Sequence, residues 1–257
     1  MSAAPLLEAR RLEVAIGGRR VCRGLDLAVV PGQILAILGA NGVGKSTLLA
    51  TLAGLRPADG GDILIDGLPL AELSPRRTAL LRGYLPQQLH DPFSSTVLET
   101  ALIGRHPHLG RWDWESAADR RLAQAALAAV ELGGFEDRDV HTLSGGERQR
   151  LGMAALLVQA PRLLLLDEPL AHLDPHHGMV ALRLLRERAA AGAACVVVLH
   201  DANQALRWCE RALLLYGEGG CDEGEVAAVI DAGRLSRLYG QPLRALDDDG
   251  RPYYVPA

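Results

Sequence analysis

A glycine-rich segment, Gly39-Ala-Asn-Gly-Val-Gly-Lys-Ser-Thr47, places the strongest constraint on how this chain can fold. It follows the unbroken apolar run 34–38, which is typical of a strand buried on both faces, and it precedes residues 46–54, which have a helical pattern. At such a turn, glycines let the backbone curl so that successive amide hydrogens point inward, beside the positive end of the helix dipole. The segment therefore predicts a loop between strand and helix that binds phosphate groups.

Lys45 is the only lysine among the 27 basic residues of the chain. A compact ammonium fits between phosphates where the planar fork of an arginine would not, so its presence favours a nucleotide ligand over a plain glycine-rich turn. We expect Lys45 to reach the β and γ phosphates and the Ser46 hydroxyl to ligate Mg²⁺. The other loop residues expected to bind the nucleotide are Gly39, Asn41, Gly42, Gly44 and Thr47.

Composition limits the remaining possibilities. With 257 residues, 49% of them apolar, the chain is long enough for one large α/β domain with a small inserted subdomain. The formal net charge of −4 gives no support to a broad basic surface for nucleic acid. The cysteines form no CxxC pair, which favours reduced thiols in a cytosolic protein. They are Cys22, Cys195, Cys209 and Cys221.

The sequence gives no indication of a leader or a membrane span. Residues 1–11 lack a basic region followed by an apolar one, so we expect no secretory signal. The nearest candidate for a span, 151–166, is interrupted by Gln159, Pro161 and Arg162 and lacks the ~18 consecutive apolar residues required. We therefore expect the chain not to cross a membrane by itself, which leaves open docking on a protein that does.

The first half of the chain changes character once. Residues 6–16 and 21–30 alternate apolar and polar positions around Gly17-Gly18, which predicts an antiparallel hairpin. Between about residues 89 and 142 the pattern is helical without strands, and this stretch is predicted to be an inserted helical subdomain. In chain order, the other predicted elements of this half are a strand at 62–66, a short helix from Ser74-Pro75 to about 81, a short strand that runs into a loop within 83–88, and helices at 96–106 and 115–132.

In the second half, strands and helices alternate, which predicts a mostly parallel sheet with helices on both faces. Residues 217–224 are expected to form a loop, and the tail to contain one or two short helices before ending irregularly. The predicted strands are 163–167, 194–200 and 212–216, and the predicted helices are 145–159, 175–191 and 202–210.

Two carboxylates, Asp167 and Glu168, follow the apolar residues 163–166. At the carboxyl end of a buried strand, Asp167 would lie beside the phosphate loop and could hold Mg²⁺ through water. Glu168 could then orient the water that attacks the γ phosphate or accept its proton. The alternative is a strand that ends in a polar turn, and the nearby phosphate loop argues against it.

A second glycine-containing string, Thr142-Leu-Ser-Gly-Gly-Glu-Arg-Gln-Arg150, decides among the families that carry a phosphate loop. Ser144-Gly145-Gly146 precedes a helix and could bind an anion at the helix N-terminus, or it could be only a serine cap. The long string resembles the signature of ABC transporter ATP-binding subunits. Further family motifs follow in order: Gln87 matches the Q-loop, Ala171-His-Leu-Asp174 the D-loop and His200 the switch histidine.

The resemblance covers essentially the whole chain, 1–257, as a single domain, and implies a P-loop NTPase core of class α/β. It also implies a head-to-tail dimer that holds two ATP molecules, each between the phosphate loop of one copy and Ser144, Gly145, Gly146 and Asp174 of the other. Gln87 would bind Mg²⁺ and the water once the helical part rotates inward. His200 would bind the γ phosphate and steady Glu168. The implied sets are Glu168, His200 and Gln87 for catalysis, and Ser46, Gln87 and Asp167 for metal.

Simpler readings exist for several of these residues. His200 ends an apolar strand, where a core histidine is the usual explanation, and Gln87 could be a plain loop amide. For His172, His176 and His177, the spacing and the lack of nearby cysteines favour a solvated helix start over a zinc site. Family members often stack an aromatic residue on adenine, and this chain has Ile16 at that position.

The segment Gly104-Arg-His-Pro-His108 resembles a GR-x-PH marker of subunits that energise import of iron siderophores, haem or cobalamin. The resemblance implies two permease subunits, an extracytoplasmic binding protein as an indirect partner, and a peripheral place on the cytoplasmic face of the membrane. Alternatives left open are an importer ATPase for another small solute, a soluble ABC ATPase that acts on ribosomes or DNA, and a phosphate-loop kinase.

Overall fold

A computed structural model describes residues 3–89 and 94–257. Short 3₁₀ turns lie at Leu70–Glu72, Ile103–His108 and Val140–Thr142. The strands are β1 Leu7–Ile16, β2 Arg19–Val29, β3 Ile34–Gly39, β4 Gly60–Ile65, β5 Leu68–Pro69, β6 Arg82–Leu85, β7 Leu163–Leu166, β8 Ala194–Val198, β9 Arg211–Gly217, β10 Gly220–Glu225, β11 Leu243–Asp248 and β12 Arg251–Pro256. The helices are α1 Lys45–Leu52, α2 Pro75–Leu81, α3 Val97–Leu102, α4 Ala117–Ala129, α5 Gly145–Gln159, α6 Pro175–Ala190, α7 Ala202–Trp208, α8 Val226–Val229 and α9 Ala232–Tyr239.

The larger sheet has the strand order β10-β9-β3-β8-β7-β6. Strands β9, β3, β8, β7 and β6 run parallel, and β10 joins the edge antiparallel to β9. Every residue of β3, β7 and β8 is buried, which explains why these strands are unbroken apolar runs. The predicted mostly parallel sheet is confirmed.

The smaller sheet is antiparallel, with the order β2-β1-β4-β5. Its first two strands form the predicted hairpin, with Leu7 opposite Val29 and Ile16 opposite Arg19. Gly17 and Gly18 both adopt positive φ angles in the turn, which glycine permits without strain. The N-terminal antiparallel part of the fold is therefore confirmed.

The larger sheet separates two hydrophobic cores. Alternate residues of β3, such as Leu35 and Ile37, pack with the smaller sheet and α1. The intervening residues Ala36 and Leu38 pack with α3 to α6 on the opposite face. This two-sided burial holds the carboxyl ends of β3, β7 and β8 in place, and the loops that leave those ends carry the predicted site residues.

Between β6 and α5 the described chain is largely helical. Thr96 and Ser116 begin α3 and α4 with reciprocal side-chain caps. The predicted helix 96–106 continues from residue 103 as a 3₁₀ segment that contains Pro107, a residue that cannot donate the hydrogen bond of a regular helix. The start of the predicted subdomain includes residues 90–93, which lie outside the described residues, and its boundaries stay a prediction.

Two predictions about the C-terminal part were wrong. Residues 217–224 are not a loop, because β10 pairs with β9 and Arg211 forms an ion pair with Glu223 across the two strands. The tail contains the short helices α8 and α9 but ends in the hairpin β11–β12 rather than irregularly. Asp249-Gly250, a dipeptide that favours tight hairpin turns, connects these strands.

No helix in residues 3–89 and 94–257 has the length and apolar character needed to cross a membrane.

Candidate active site

The phosphate loop joins the end of β3 to the start of α1, as predicted. Gly42 and Gly44 have φ angles of 75° and 107°, which are unfavourable for residues with a Cβ atom. A Cβ on Gly44 would also lie 2.4 Å from Cγ2 of Val21. The loop can therefore keep this curl only with glycine at position 44.

Lys45 folds back over its own loop. It is only 5% exposed, and its Nζ donates hydrogen bonds to the carbonyl oxygens of Gly39 at 2.9 Å and Ala40 at 3.1 Å. Burial lowers the pKa of Lys45, and the nearby carboxylates of Glu168 and Asp167 partly offset this. A buried ammonium that donates its hydrogen bonds to neutral carbonyls would gain from bonding an anion instead, so the loop fits a phosphate ligand.

Ser46 and Asp167 form the second contact of the site. The Ser46 hydroxyl donates to Oδ1 of Asp167 at 3.1 Å, and the backbone N–H of Asp167 donates to the carbonyl of Leu85 at 2.8 Å. Asp167 is 2% exposed, and burial raises the pKa of its carboxyl, although the Ser46 hydrogen bond and the charge of Lys45 act in the opposite direction. A hydroxyl beside a carboxylate supplies the oxygen ligands that Mg²⁺ prefers.

Glu168 is the meeting point of the predicted catalytic residues. Its Oε2 accepts a hydrogen bond from Nε2 of Gln87 at 2.8 Å and lies 2.8 Å from Nε2 of His200. Gln87, Glu168 and His200 follow β6, β7 and β8 closely, so they lie together at the carboxyl ends of these parallel strands. The His200 side chain is 49% exposed, so it is not a core histidine.

These residues open onto one cleft of about 450 Å³. An adjoining opening of about 700 Å³ shares Ile16, Asn41 and Gly42 and is also lined by Arg19 and Arg20. Sequence reasoning missed both arginines, although their position directly after the Gly17-Gly18 turn and close to Ile16 was the available signal. The cleft is lined by Ile16, Asn41, Gly42, Gly44, Lys45, Ser46, Thr47, Gln87, Glu168 and His200.

The signature residues lie elsewhere. Ser144 caps α5, accepting from the N–H of Glu147 at 3.3 Å while the Glu147 carboxylate accepts from the N–H of Ser144 at 2.7 Å. A Cβ on Gly146 would lie 2.8 Å from the carbonyl oxygen of His172, so the two loops pack closely. The described lining of the cleft does not include Ser144, Gly145 or Gly146.

Asp174 caps α6 and is likewise not among the described residues lining the cleft. Its carboxylate accepts from the backbone N–H of His177 at 2.9 Å and lies 2.8 Å from Nδ1 of the same residue. These hydrogen bonds hold the pKa of Asp174 below its usual range, and the one from the backbone N–H of His177 has the larger effect. One copy of the chain thus brings the phosphate loop and catalytic residues together but not the signature loop or Asp174.

The three clustered histidines separate into two groups. His172 lies against Gly145, where a Cβ would be 3.6 Å from the Cβ of the histidine. His176 and His177 instead face Glu131, from the segment after α4.

Comparison with known proteins agrees with this geometry. The family described as ABC transporter matches residues 22–171. A hemin import ATP-binding protein of Myxococcus xanthus is 39% identical over 96% of this chain and 94% of its own length. A protein of the same name from Streptomyces coelicolor is 43% identical over 93% of this chain and 84% of its own length.

Solved structures share the fold. A metal-chelate type ABC transporter in an inward-facing conformation has a TM-score of 0.84 and 27% identity, with 98% of both chains covered. A dimeric ATP-binding cassette in a post-hydrolysis state with ADP and Pi has a TM-score of 0.74 and 26% identity, covering 86% of this chain and 98% of its own. Given the match over most of its length and a cleft that combines a phosphate loop with a carboxylate at the end of a buried strand, the chain belongs to the ABC transporter family and is an ATP-binding subunit with ATPase activity.

Proposed function

We propose that this chain energises import of a metal chelate, of the class that includes haem, iron siderophores and cobalamin, through a membrane permease. The observation that carries the proposal is the likeness along the whole chain to hemin import ATP-binding proteins, together with the 98% mutual coverage of a metal-chelate type transporter. Haem is the favoured cargo within this class.

Within the cleft, we assign the γ phosphate to the space between Lys45, the phosphate loop and Glu168. Backbone amides of the loop bind the phosphate oxygens, and Lys45 exchanges its carbonyl partners for the β and γ phosphates. Ser46, Asp167 and Gln87 are the residues that would hold Mg²⁺. When bound, the ion would supply positive charge to offset the negative charge that develops on the phosphates.

Glu168 is assigned as the residue that orients the attacking water and accepts its proton. The contact of Oε2 with both Gln87 and His200 supports this, because two neighbours hold the carboxylate in one orientation. The Glu168 backbone has a φ of 49°, a left-handed conformation that is uncommon without glycine and often found at active sites. In this role, His200 steadies the carboxylate and hydrogen-bonds the γ phosphate.

The signature side of the site is assigned to a second copy. Ser144, Gly145 and Gly146 lie at the N-terminus of the 15-residue helix α5, where backbone N–H groups and the helix dipole favour an anion. In a head-to-tail pair, this terminus and Asp174 would face the ATP held by the phosphate loop of the other copy. ATP then joins the two copies, and its hydrolysis lets them separate.

The permease is assigned to a groove of about 440 Å³ whose lining includes Ile103, Gly104 and Pro107 of the helical segment and Leu151 of α5. We take the helical segment, about residues 89–142, to move as a unit. Gly104 packs against α5 so closely that a Cβ would lie 2.2 Å from the carbonyl oxygen of Ala155. Arg76 donates hydrogen bonds to the carbonyl oxygens of Pro107 at 3.1 Å and Leu109 at 2.9 Å, and so fixes the segment that follows Gly104. The chain would thus be peripheral, on the cytoplasmic face, under two permease subunits served by an extracytoplasmic binding protein.

The experiment is cargo uptake into proteoliposomes that contain the chain with the membrane subunits that co-purify with it. Hemin, a ferric siderophore and cobalamin are supplied in turn, and cargo uptake and release of free phosphate are measured. ATP-dependent accumulation of one of them, lost in Glu168→Gln, is expected. Uptake of none would contradict the metal-chelate class and leave an importer for another small solute.

The same preparation tests the classes outside transport. If no membrane protein co-purifies and ribosomes or DNA stimulate phosphate release, the chain is a soluble ABC ATPase. A phosphorylated acceptor in place of free phosphate would indicate a kinase, for which the signature loop has no use.

A further inference from the structure

Three side chains that could bind a metal meet at the junction of two helices. Glu131 follows the end of α4, and His176 and His177 lie in the first turn of α6. Nε2 of His176 lies 3.1 and 3.0 Å from the two carboxylate oxygens of Glu131, and Nε2 of His177 lies 3.4 Å from one of them. One ligand atom from each of the three residues fits within 4.8 Å of the others.

A second carboxylate orients one of these imidazoles. Oδ2 of Asp174 lies 2.8 Å from Nδ1 of His177, and since a carboxylate accepts, the Nδ1–H donates. In the neutral ring, Nε2 then carries the lone pair, and it is this atom that faces Glu131. Histidines that bind metals commonly donate their other N–H to a carboxylate in this way, which fixes the tautomer and the direction of the ring.

Glu131 is also held from behind. Its backbone adopts a φ of 58°, a left-handed conformation that is unusual for glutamate. Nη1 of Arg150 donates to the carbonyl oxygens of Val130 at 2.9 Å and Glu131 at 2.7 Å. The turn after α4 is therefore fastened to α5, and the Glu131 carboxylate is presented toward α6.

We propose that Glu131, His176 and His177 bind a divalent transition-metal ion of the Zn²⁺ type. Two imidazoles and one carboxylate form a ligand set that suits Zn²⁺ and neighbouring metals, whereas Mg²⁺ and Ca²⁺ prefer oxygen ligands alone. Glu131 and His176 are 45% and 67% exposed, so water can complete the coordination shell. The site is separate from the ATP cleft, whose described lining contains none of the three residues.

In the sequence, the spacing of the three histidines and the lack of nearby cysteines argued against a zinc site, because a ligand distant along the chain is not visible there. His172 is turned toward the signature loop, and the third ligand comes from 45 residues before His176. A bound ion would join the end of α4 in the helical segment to the start of α6, next to Asp174. It would thus restrain the helical segment against the core.

Titration of the nucleotide-free, full-length protein with Zn²⁺ tests the site. We expect one Zn²⁺ per chain, a Tm that rises with Zn²⁺ and falls back with a chelator, and loss of that binding in the double variant His176→Ala, His177→Ala. Removal of an outer-shell partner typically weakens metal binding about 10- to 100-fold, so loss of both imidazoles should weaken it at least that much. His141→Ala, which removes an exposed histidine elsewhere, is the matched control and should bind as the wild type does.

Three outcomes would overturn the site: no Zn²⁺ binding by the wild-type protein, equal affinity in the double variant, or loss of the ion in His200→Ala instead. The last would assign the metal to the ATP cleft. Should the double variant fail to fold, Glu131→Gln carries the same test, because the amide keeps the size of the side chain and removes its charge.

Discussion

The phosphate-loop side and the signature side of this chain are built in opposite ways. On the phosphate-loop side, residues from four separate segments make contact across the cleft, as in the Ser46–Asp167 and Gln87–Glu168 pairs. On the signature side, the side chains of Ser144 and Asp174 accept hydrogen bonds within their own helix starts, from the backbone N–H groups of Glu147 and His177. One side is a cleft assembled by the tertiary fold, whereas the other consists of two capped helix ends.

This difference suggests how the binding of ATP is coupled to the pairing of two copies. The starts of α5 and α6 are capped by side chains of their own chain, without any ligand. The cleft already contains the groups for chemistry, and its described lining includes neither the signature residues nor Asp174. We therefore expect chemistry to depend on both surfaces, while ATP binding to a single copy depends on the cleft alone.

The largest expected effect is from Glu168→Gln. Loss of a positioned base typically costs about 10²- to 10⁴-fold in turnover, while the amide keeps a side chain of the same size between Gln87 and His200. ATP binding should persist, and the protein should accumulate as an ATP-bridged dimer. Phosphate release, nucleotide binding and size measurement by light scattering give the three readouts.

Glu72→Gln, an exposed glutamate on a 3₁₀ turn, serves as the control and should leave turnover unchanged. If Glu168→Gln hydrolysed ATP at a rate within a few-fold of the wild type, the catalytic role assigned to Glu168 on the phosphate-loop side would be wrong.

The comparison itself is tested by Ser144→Arg. This variant should bind ATP as a single copy but lose hydrolysis, because its bulky cation blocks the helix end that faces the other copy's ATP. In a 1:1 mixture with Lys45→Ala, half of the pairs combine one of each, and each such pair has one intact composite site, so about a quarter of wild-type activity should return. Turnover of the two variants separately and mixed is the measurement.

A mixture as inactive as its components would contradict a site shared between copies. Equal loss of ATP binding and turnover in Ser144→Arg alone would do the same, since it would place Ser144 within the cleft of its own chain.

Sequence reasoning found the cleft side because its signals are local. The apolar runs of β3 and β7, the phosphate loop between β3 and α1, and the carboxylates after β7 each lie within a few residues. Gln87 lies 81 residues before Glu168, and its place in the site followed only from the family resemblance, which did not predict the contact between the two. The contact between Glu131 and His176 joins residues that are 45 positions apart, so no local pattern could predict it.

The wrong predictions for residues 217–224 and for the tail have the same cause, because both regions depend on contacts with other elements of the fold. Strand β10, Gly-Cys-Asp-Glu-Gly-Glu, has little apolar alternation and depends on partners across the sheet, as in the hydrogen bond that Tyr216 donates to Asp222 at 2.7 Å. The final hairpin is mostly exposed and is fastened by Asn203, whose side chain bonds the backbone of Tyr254. Such contacts are visible only in the folded chain.

A smaller effect is expected from Gly44→Ala, which separates shape from charge on the cleft side. The new Cβ would meet the stiff side chain of Val21 at a φ of 107°, so we expect a loss of about 1–3 kcal/mol in the free energy of unfolding and weaker ATP binding. Gly42→Ala is the matched control, since its φ of 75° is also left-handed but no atom lies within 4 Å of the added Cβ. Equal losses in the two variants, measured by denaturant unfolding, would show that the contact with Val21 does not matter.

The smallest expected effect is a gain in stability from Asp167→Asn. Because burial raises the pKa of Asp167 above its ordinary value of 3.8, the folded state holds the proton more tightly than the unfolded state does. The ionised carboxylate therefore costs stability once the pH rises through the interval above 3.8, and it continues to do so at neutral pH. Asparagine does not titrate, so the variant should unfold at a higher Tm near neutrality, by about 2–4 °C for a gain of about 1 kcal/mol, and the difference should vanish in acid. Asp62→Asn, at an exposed position, should show no such gain. An Asp167→Asn variant that is less stable than the wild type at every pH would mean that the Ser46 hydrogen bond and the charge of Lys45 outweigh the cost of burying the carboxylate.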